Sequence, residues 1–173
     1  MTFKRYRIRK AFLVPLGVDT VLLFLLIVLS LLTPGHPAER IVFVLLFLPL
    51  AYLLLEMISR STVTGPGGIE MKKLLRRKSL SWEDITSVDT VVLGKKAYVT
   101  LSTKKGFYAL SNAHEHFTDL IRDIVERTEK EKIEKRVFDL IEQDIRRRSD
   151  IFGAWIAAVL LGMVLYIRIF PGG

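Results

Sequence analysis

The chain has 173 residues, half of them apolar, and its 26 Lys and Arg outnumber 18 Asp and Glu to give a formal charge of +8. It holds no cysteine, which excludes disulfides, thiolate metal sites and thiol nucleophiles. The basic balance would by itself admit nucleic acid as a partner. The bases instead cluster beside apolar runs, which points to a membrane and not to nucleic acid.

Lys4, Arg5, Arg7, Arg9 and Lys10 come first, directly before an apolar run over residues 11–32. A second run covers 41–58 and a third 151–170. An α-helix rises about 1.5 Å per residue, so a hydrocarbon core about 30 Å thick needs about 20 such residues. The spacing therefore predicts three transmembrane helices, two before a charge-rich block and one after it. Residues 33–40 between the first two runs hold one Arg and one Glu, whereas Arg146, Arg147 and Arg148 lie just before the third. Cytoplasmic flanks carry the excess of Lys and Arg. The expected topology puts residues 1–10 and 59–150 in the cytoplasm, 33–40 outside, and the C-terminus outside. A cleaved secretory leader fits poorly, because its apolar region spans roughly 7–15 residues and the run here is longer, with no small-x-small site after it.

Thr33-Pro34-Gly35-His36-Pro37 is rich in helix breakers and predicts a tight antiparallel hairpin of the first two spans. Two ionisable groups, Asp19 in the first span and Glu56 near the cytoplasmic end of the second, fall at depths that antiparallel packing would bring together. Such groups are costly in lipid and can mark an ion or proton path. The plainer expectation is a protonated or hydrated Asp19, with Glu56 reaching the interface. In the third span Ala154, Ala158 and Gly162 recur every fourth residue, a small-residue face for close helix approach. It suits packing on the protein's own hairpin, a protein partner, or a second copy. Trp155 and Tyr166 suit the two interfaces, and Arg168 would snorkel outward.

Between residues 61 and 110 the pattern changes to short alternating segments separated by turns. Residues 61–64, 69–75, 79–82, 87–93, 97–103 and 107–110 read as an antiparallel meander of about six strands. A helix follows. Asn112 and Glu115 have capping-box spacing, and Phe117, Leu120, Ile121, Ile124 and Val125 make one apolar stripe able to cover the open end of a bent sheet. Trp82 and Ile85 are expected in the core, and Asp84 is expected to cap its turn. Residues 129–149 predict a second amphipathic helix, with Ile133, Val137, Leu140, Ile141 and Ile145 at helical spacing. That stripe has three possible faces to cover: the domain, another chain or the headgroups. Arg146–Arg148 favour anionic lipid at its end.

Gly68-Ile69, a basic and apolar strand, Ser81-Trp82-Glu83-Asp84-Ile85 and the closing helix together resemble the bacterial pleckstrin-homology-like (PH-like) domains. In many of those families a strand beginning Gly-Ile precedes a stretch similar to I-x-W-x-D-I, and Leu80 holds its first apolar position here. The resemblance covers about residues 60–128, and a membrane hairpin just before it is also familiar in such proteins. It implies an antiparallel sheet or barrel capped by a helix, and a platform, not a reaction.

Lys72, Lys73, Arg76, Arg77 and Lys78 form a basic cluster in the region where eukaryotic PH domains can hold phosphoinositides, although the spacing does not reproduce the usual pattern. An anionic-lipid or partner-facing surface is one reading, and an ordinary solvated turn the other. His114-Glu115-His116 does not place two His at i and i+4, so no metal is expected. No P-loop, dinucleotide fingerprint or nucleophile elbow occurs, and no cofactor is expected.

The sequence thus predicts a membrane α-helical plus α+β protein of the bacterial inner membrane. Its segments are a basic N-terminus (1–10), a transmembrane hairpin (11–58), a PH-like domain (59–128), a connecting helix (129–149) and a third span (150–173). The expected role is a non-enzymatic binding or scaffolding module on the cytoplasmic face. The alternative is a small accessory subunit of a transport or enzyme complex that uses Asp19 and Glu56.

Overall fold

The computed structural model describes residues 3–34, 36–94, 96–143 and 149–170. The chain divides into two compact units, residues 10–58 with 149–170, and residues 3–9 with 59–143.

The apolar unit holds α1 (Lys10–Leu32), α2 (Pro37–Ser59) and α5 (Ser149–Ile169). All three runs are helices long and apolar enough to cross a membrane. The second begins earlier than its apolar run because Pro37, whose φ is already helical and whose missing N–H is not needed there, sits at its first position. The covered face of α1 is Phe12, Pro15, Leu16, Asp19, Leu23, Leu26 and Ser30, and its principal neighbour is α5. On α5, Ala158 is buried and Ala154 and Gly162 are half-buried, so the small-residue face is the covered one. Close approach of α1 and α5 follows from those short side chains.

The first two spans do run antiparallel. Arg40 Nε donates to the Ser30 carbonyl at 2.9 Å, and the Phe24 and Phe47 rings are 6.0 Å apart. The hairpin packs loosely, because α1 gives its covered face to α5, and among the described residues none on α2 is buried. Arg168, near the end of α5, pairs with Glu39 at the start of α2 and lies 5.9 Å from the centre of the Phe43 ring.

Among the described residues the polar unit holds seven strands in two antiparallel sheets. The first has the order β1 (Lys4–Arg7), β2 (Ser61–Gly65), β3 (Gly68–Lys72), β4 (Arg77–Ser81). The second has the order β5 (Ile85–Leu93), β6 (Lys96–Thr103), β7 (Gly106–Ser111). Helices α3 (Phe117–Arg127) and α4 (Lys135–Gln143) follow. Period-two alternation drives Ile69, Leu80, Ile85, Val88, Val99, Leu101 and Leu110 inward, where they meet Phe117, Leu120, Ile121 and Ile124 of α3. Gly68 is required at the β2–β3 turn. Its φ is +154°, and a Cβ there would collide with the Leu80 carbonyl.

Three expectations change. The basic N-terminus is not a separate flank, since Lys4–Arg7 pairs with β2 from Lys4↔Thr64 to Arg7↔Ser61. Tyr6 and Ile8 point inward and are buried, which favours the strand over a solvated tail. Asn112 and Glu115 do not cap a helix. Glu115 N–H donates to Arg7 O at 2.7 Å and Asn112 N–H to Ala97 O at 2.9 Å, so this segment serves the sheets and α3 starts only at Phe117. The connecting helix is shorter than 129–149. A 3-10 turn at Lys130–Lys132 leads into Ile133 and Glu134, which lie along the edge of β5 with Glu134 N–H donating to Val88 O at 2.9 Å. Helix α4 begins after that edge contact, with Val137 and Leu140 buried as the stripe required. Ile145 and Arg146–Arg148 lie outside the described residues.

Candidate functional site

The β3–β4 hairpin carries the basic cluster. Lys72 and Arg77 form its last pair, and Lys73 N–H closes the turn onto Arg76 O at 2.8 Å. Lys72, Lys73, Arg76, Arg77 and Lys78 are all exposed. Two have partners: Arg77 Nε lies 3.2 Å from Glu70 Oε1, and Lys78 Nζ sits 5.0 Å from the centre of the Tyr108 ring on β7. An exposed ion pair of this kind contributes little stability, about 0–1 kcal/mol, so the cluster is not there to hold the hairpin together.

Register fixes where the hairpin points. Arg7, Ser61, Lys72 and Arg77 are successive Cα partners across β1, β2, β3 and β4. This row is the end of the sheet from which β1 continues into α1 and to which α2 delivers the chain. The bases therefore gather at the sheet end that is covalently next to two of the three apolar helices.

Trp82, expected as a core anchor, is half-buried against the core, whereas Ile85 is fully buried. The indole N–H donates to Gly65 O at 2.9 Å, the same carbonyl that Arg127 reaches at 3.2 Å, and the Arg127 guanidinium lies 5.8 Å from the ring centre. Asp84 does not cap its turn. It is exposed, and the 3-10 turn Trp82–Asp84 closes through Ile85 N–H to Trp82 O with no side-chain cap.

Two buried polar clusters were not legible from the sequence. Asp123 on α3 is 3% exposed and gathers Lys4 Nζ at 2.6 Å, Thr64 Oγ1 at 2.8 Å and Tyr6 Oη at 3.0 Å. Burial alone would raise its pKa. The hydrogen bonds from Lys4, Thr64 and Tyr6, with the Lys4 charge, outweigh burial and hold the carboxyl below its ordinary value. The Tyr6 phenol is pushed up by its own burial and by Asp123. His114 is buried between the Ser111 carbonyl, 2.9 Å from Nδ1, and the Thr62 hydroxyl, 3.3 Å from Nε2. A carbonyl can only accept, so Nδ1 carries the proton and Nε2 accepts from Thr62. Burial keeps the ring neutral and lowers its pKa, the Ser111 bond opposes this, and the Arg60 charge adds to it. His116 is exposed at the start of α3, 3.5 Å from Asp119, and among the described residues no three metal-ligating side chains converge.

Asp19 is 4% exposed on the covered face of α1, and its Oδ1 has no hydrogen-bond partner among the described residues. Glu56 is half-buried on α2. No hydrogen bond or ion pair joins the two among the described residues, because α1 turns the Asp19 face to α5 and not to α2. The chain matches no protein-family model, no curated protein and no solved structure.

Proposed function

We propose that this protein is a non-enzymatic, membrane-anchored binding module of the bacterial inner membrane, whose PH-like sheet unit contacts anionic lipid at the cytoplasmic face. The carrying observation is the exposed basic end of the sheet, where Lys72 and Arg77 share a row with the strand ends that lead into α1 and from α2. Bases near an anionic surface contribute about 1 kcal/mol each and lose it within a Debye length of about 8–10 Å. Five or more of them hold a domain against such a surface while leaving its other faces free for a protein. The order of seven antiparallel strands followed by a helix supports the PH-like reading.

A second reading, a small accessory subunit of a transport or enzyme complex, draws on Asp19, a buried carboxyl with an unpartnered oxygen. One experiment separates the two. The full-length chain, which has no native cysteine, takes a donor dye at Glu83→Cys and is reconstituted into bilayers containing an acceptor lipid. Energy transfer should be stronger in anionic than in zwitterionic bilayers and should fall with added salt. Changing Lys72, Lys73, Arg76, Arg77 and Lys78 together to Gln should remove the difference, while Asp19→Asn leaves it and cellular function intact. Transfer indifferent to lipid charge and to the five bases, with an inserted but inactive Asp19→Asn protein, would refute the first reading in favour of the second.

A further inference from the structure

The basic hairpin is not purely polar. Its turn presents Leu75, 85% exposed between Lys73 and Arg76, and Leu74 beside it is half-buried. A second tip repeats the pattern. The β6–β7 turn places exposed Lys104 and Lys105 next to Phe107, which is 80% exposed. Leu75 and Phe107 are the two most exposed large apolar side chains described in the polar unit. The two hairpins are neighbours. Lys78, one pair behind the β3–β4 turn pair, lies over the ring of Tyr108, the residue after Phe107.

Solvation explains the bases but not the leucine and the phenylalanine. An apolar group held in water forgoes the stabilisation that burying its surface would bring. Core packing does not claim these two. Their position at turns, each within two residues of exposed bases, is the pattern of groups that lie in a lipid interface: apolar side chains enter the acyl boundary and cations stay with the headgroups. Charge complementarity names the occupant as an anionic bilayer surface, and the row from Arg7 to Arg77 puts the first tip at the sheet end joined to the apolar helices.

We infer that Leu75 and Phe107 form a two-pronged apolar wedge that enters the anionic lipid interface, ringed by Lys72, Lys73, Arg76, Lys104 and Lys105. This deepens the lipid-contact reading above and rests on it. The wedge converts loose electrostatic adsorption, which salt abolishes, into a contact that keeps a salt-resistant part.

The test uses the full-length protein in bilayers with an environment-sensitive dye at Leu75→Cys or Phe107→Cys, and at Glu83→Cys as control. Nitroxides are carried either on the lipid headgroup or on the acyl chain. In bilayers containing anionic phosphatidylglycerol, acyl-chain nitroxide should quench the Leu75 and Phe107 positions about twofold or more, consistent with burial about 5–10 Å into the boundary, and leave Glu83 unquenched. Quenching by the headgroup label alone would overturn the wedge while sparing surface contact. Quenching by neither label, with energy transfer from Glu83 also indifferent to lipid charge, would overturn the wedge and the lipid reading together. In a separate arm, Leu75→Ser with Phe107→Ser should leave lipid-dependent transfer from Glu83 at low salt and abolish what survives high salt; salt-resistant transfer in that variant would also refute the wedge.

Discussion

Replacing Asp123 with Ala should be among the most damaging single changes in the polar unit. The carboxylate, carried on α3, is the common acceptor for β1 and β2, and its loss leaves the Tyr6 and Thr64 hydroxyls buried without a partner. Each orphaned buried hydroxyl costs about 1–3 kcal/mol. The Lys4 side chain is 53% exposed and turns to water, so its share is small. The sum is about 2–6 kcal/mol. Lys4→Met removes the shortest of the three bonds but leaves two donors on the carboxylate, and should cost about 1–2 kcal/mol. Urea unfolding of the full chain in detergent measures both, followed by Trp82 fluorescence after Trp155→Phe removes the second tryptophan. A loss below about 1 kcal/mol for Asp123→Ala, or equal losses for the two variants, would refute the reasoning.

His114 should make the same unit acid-sensitive. Its folded pKa lies below the ordinary value of about 6.5, so its contribution is complete above that pH and is lost as pH falls from about 6.5 towards the folded value. The urea midpoint should drop over that window and His114→Gln should flatten the drop. Asp123, held below the usual carboxylate range, gives up its contribution only below about pH 3.9 and so does not produce this step. Trp82→Ala should cost about 2–3 kcal/mol in a melt followed by circular dichroism, less than a fully buried Trp, and Trp82→Phe about 1 kcal/mol for the lost bond to Gly65.

The elements that could be read from the sequence are those whose signal is local. Three apolar runs and the stripe of α3 declare themselves by composition and period, and the strands by alternation between Gly and Lys turns. The strand Lys4–Arg7 does not, because its partner in the sheet lies beyond two apolar helices and its bases are also what a membrane flank requires. Asp123 was invisible for a related reason, since Lys4, Tyr6 and Thr64 meet only after the chain has folded. Asn112 and Glu115 misled because capping-box spacing states what a helix start could use, while Arg7 and Ala97 offered their backbone groups sheet partners instead. The basic hairpin was legible as a cluster. Its common row with the helix junctions and its proximity to Phe107 were not, because both depend on strand register.

The position of β1 has a bearing on biosynthesis. Its partner β2 is made only after α1 and α2 have emerged, so the four-stranded sheet cannot be completed while the hairpin is half inserted. If one helix crossed and the other did not, β1 and β2 would be stranded on opposite sides of the bilayer. Tyr6 and Ile8 would then be left without a core, and Asp123 without two of its three donors. If α1 and α2 cross a membrane, completion of the sheet therefore requires an even number of crossings between residues 9 and 61, and a nascent chain that failed this requirement would expose an open strand edge for quality-control proteases to find.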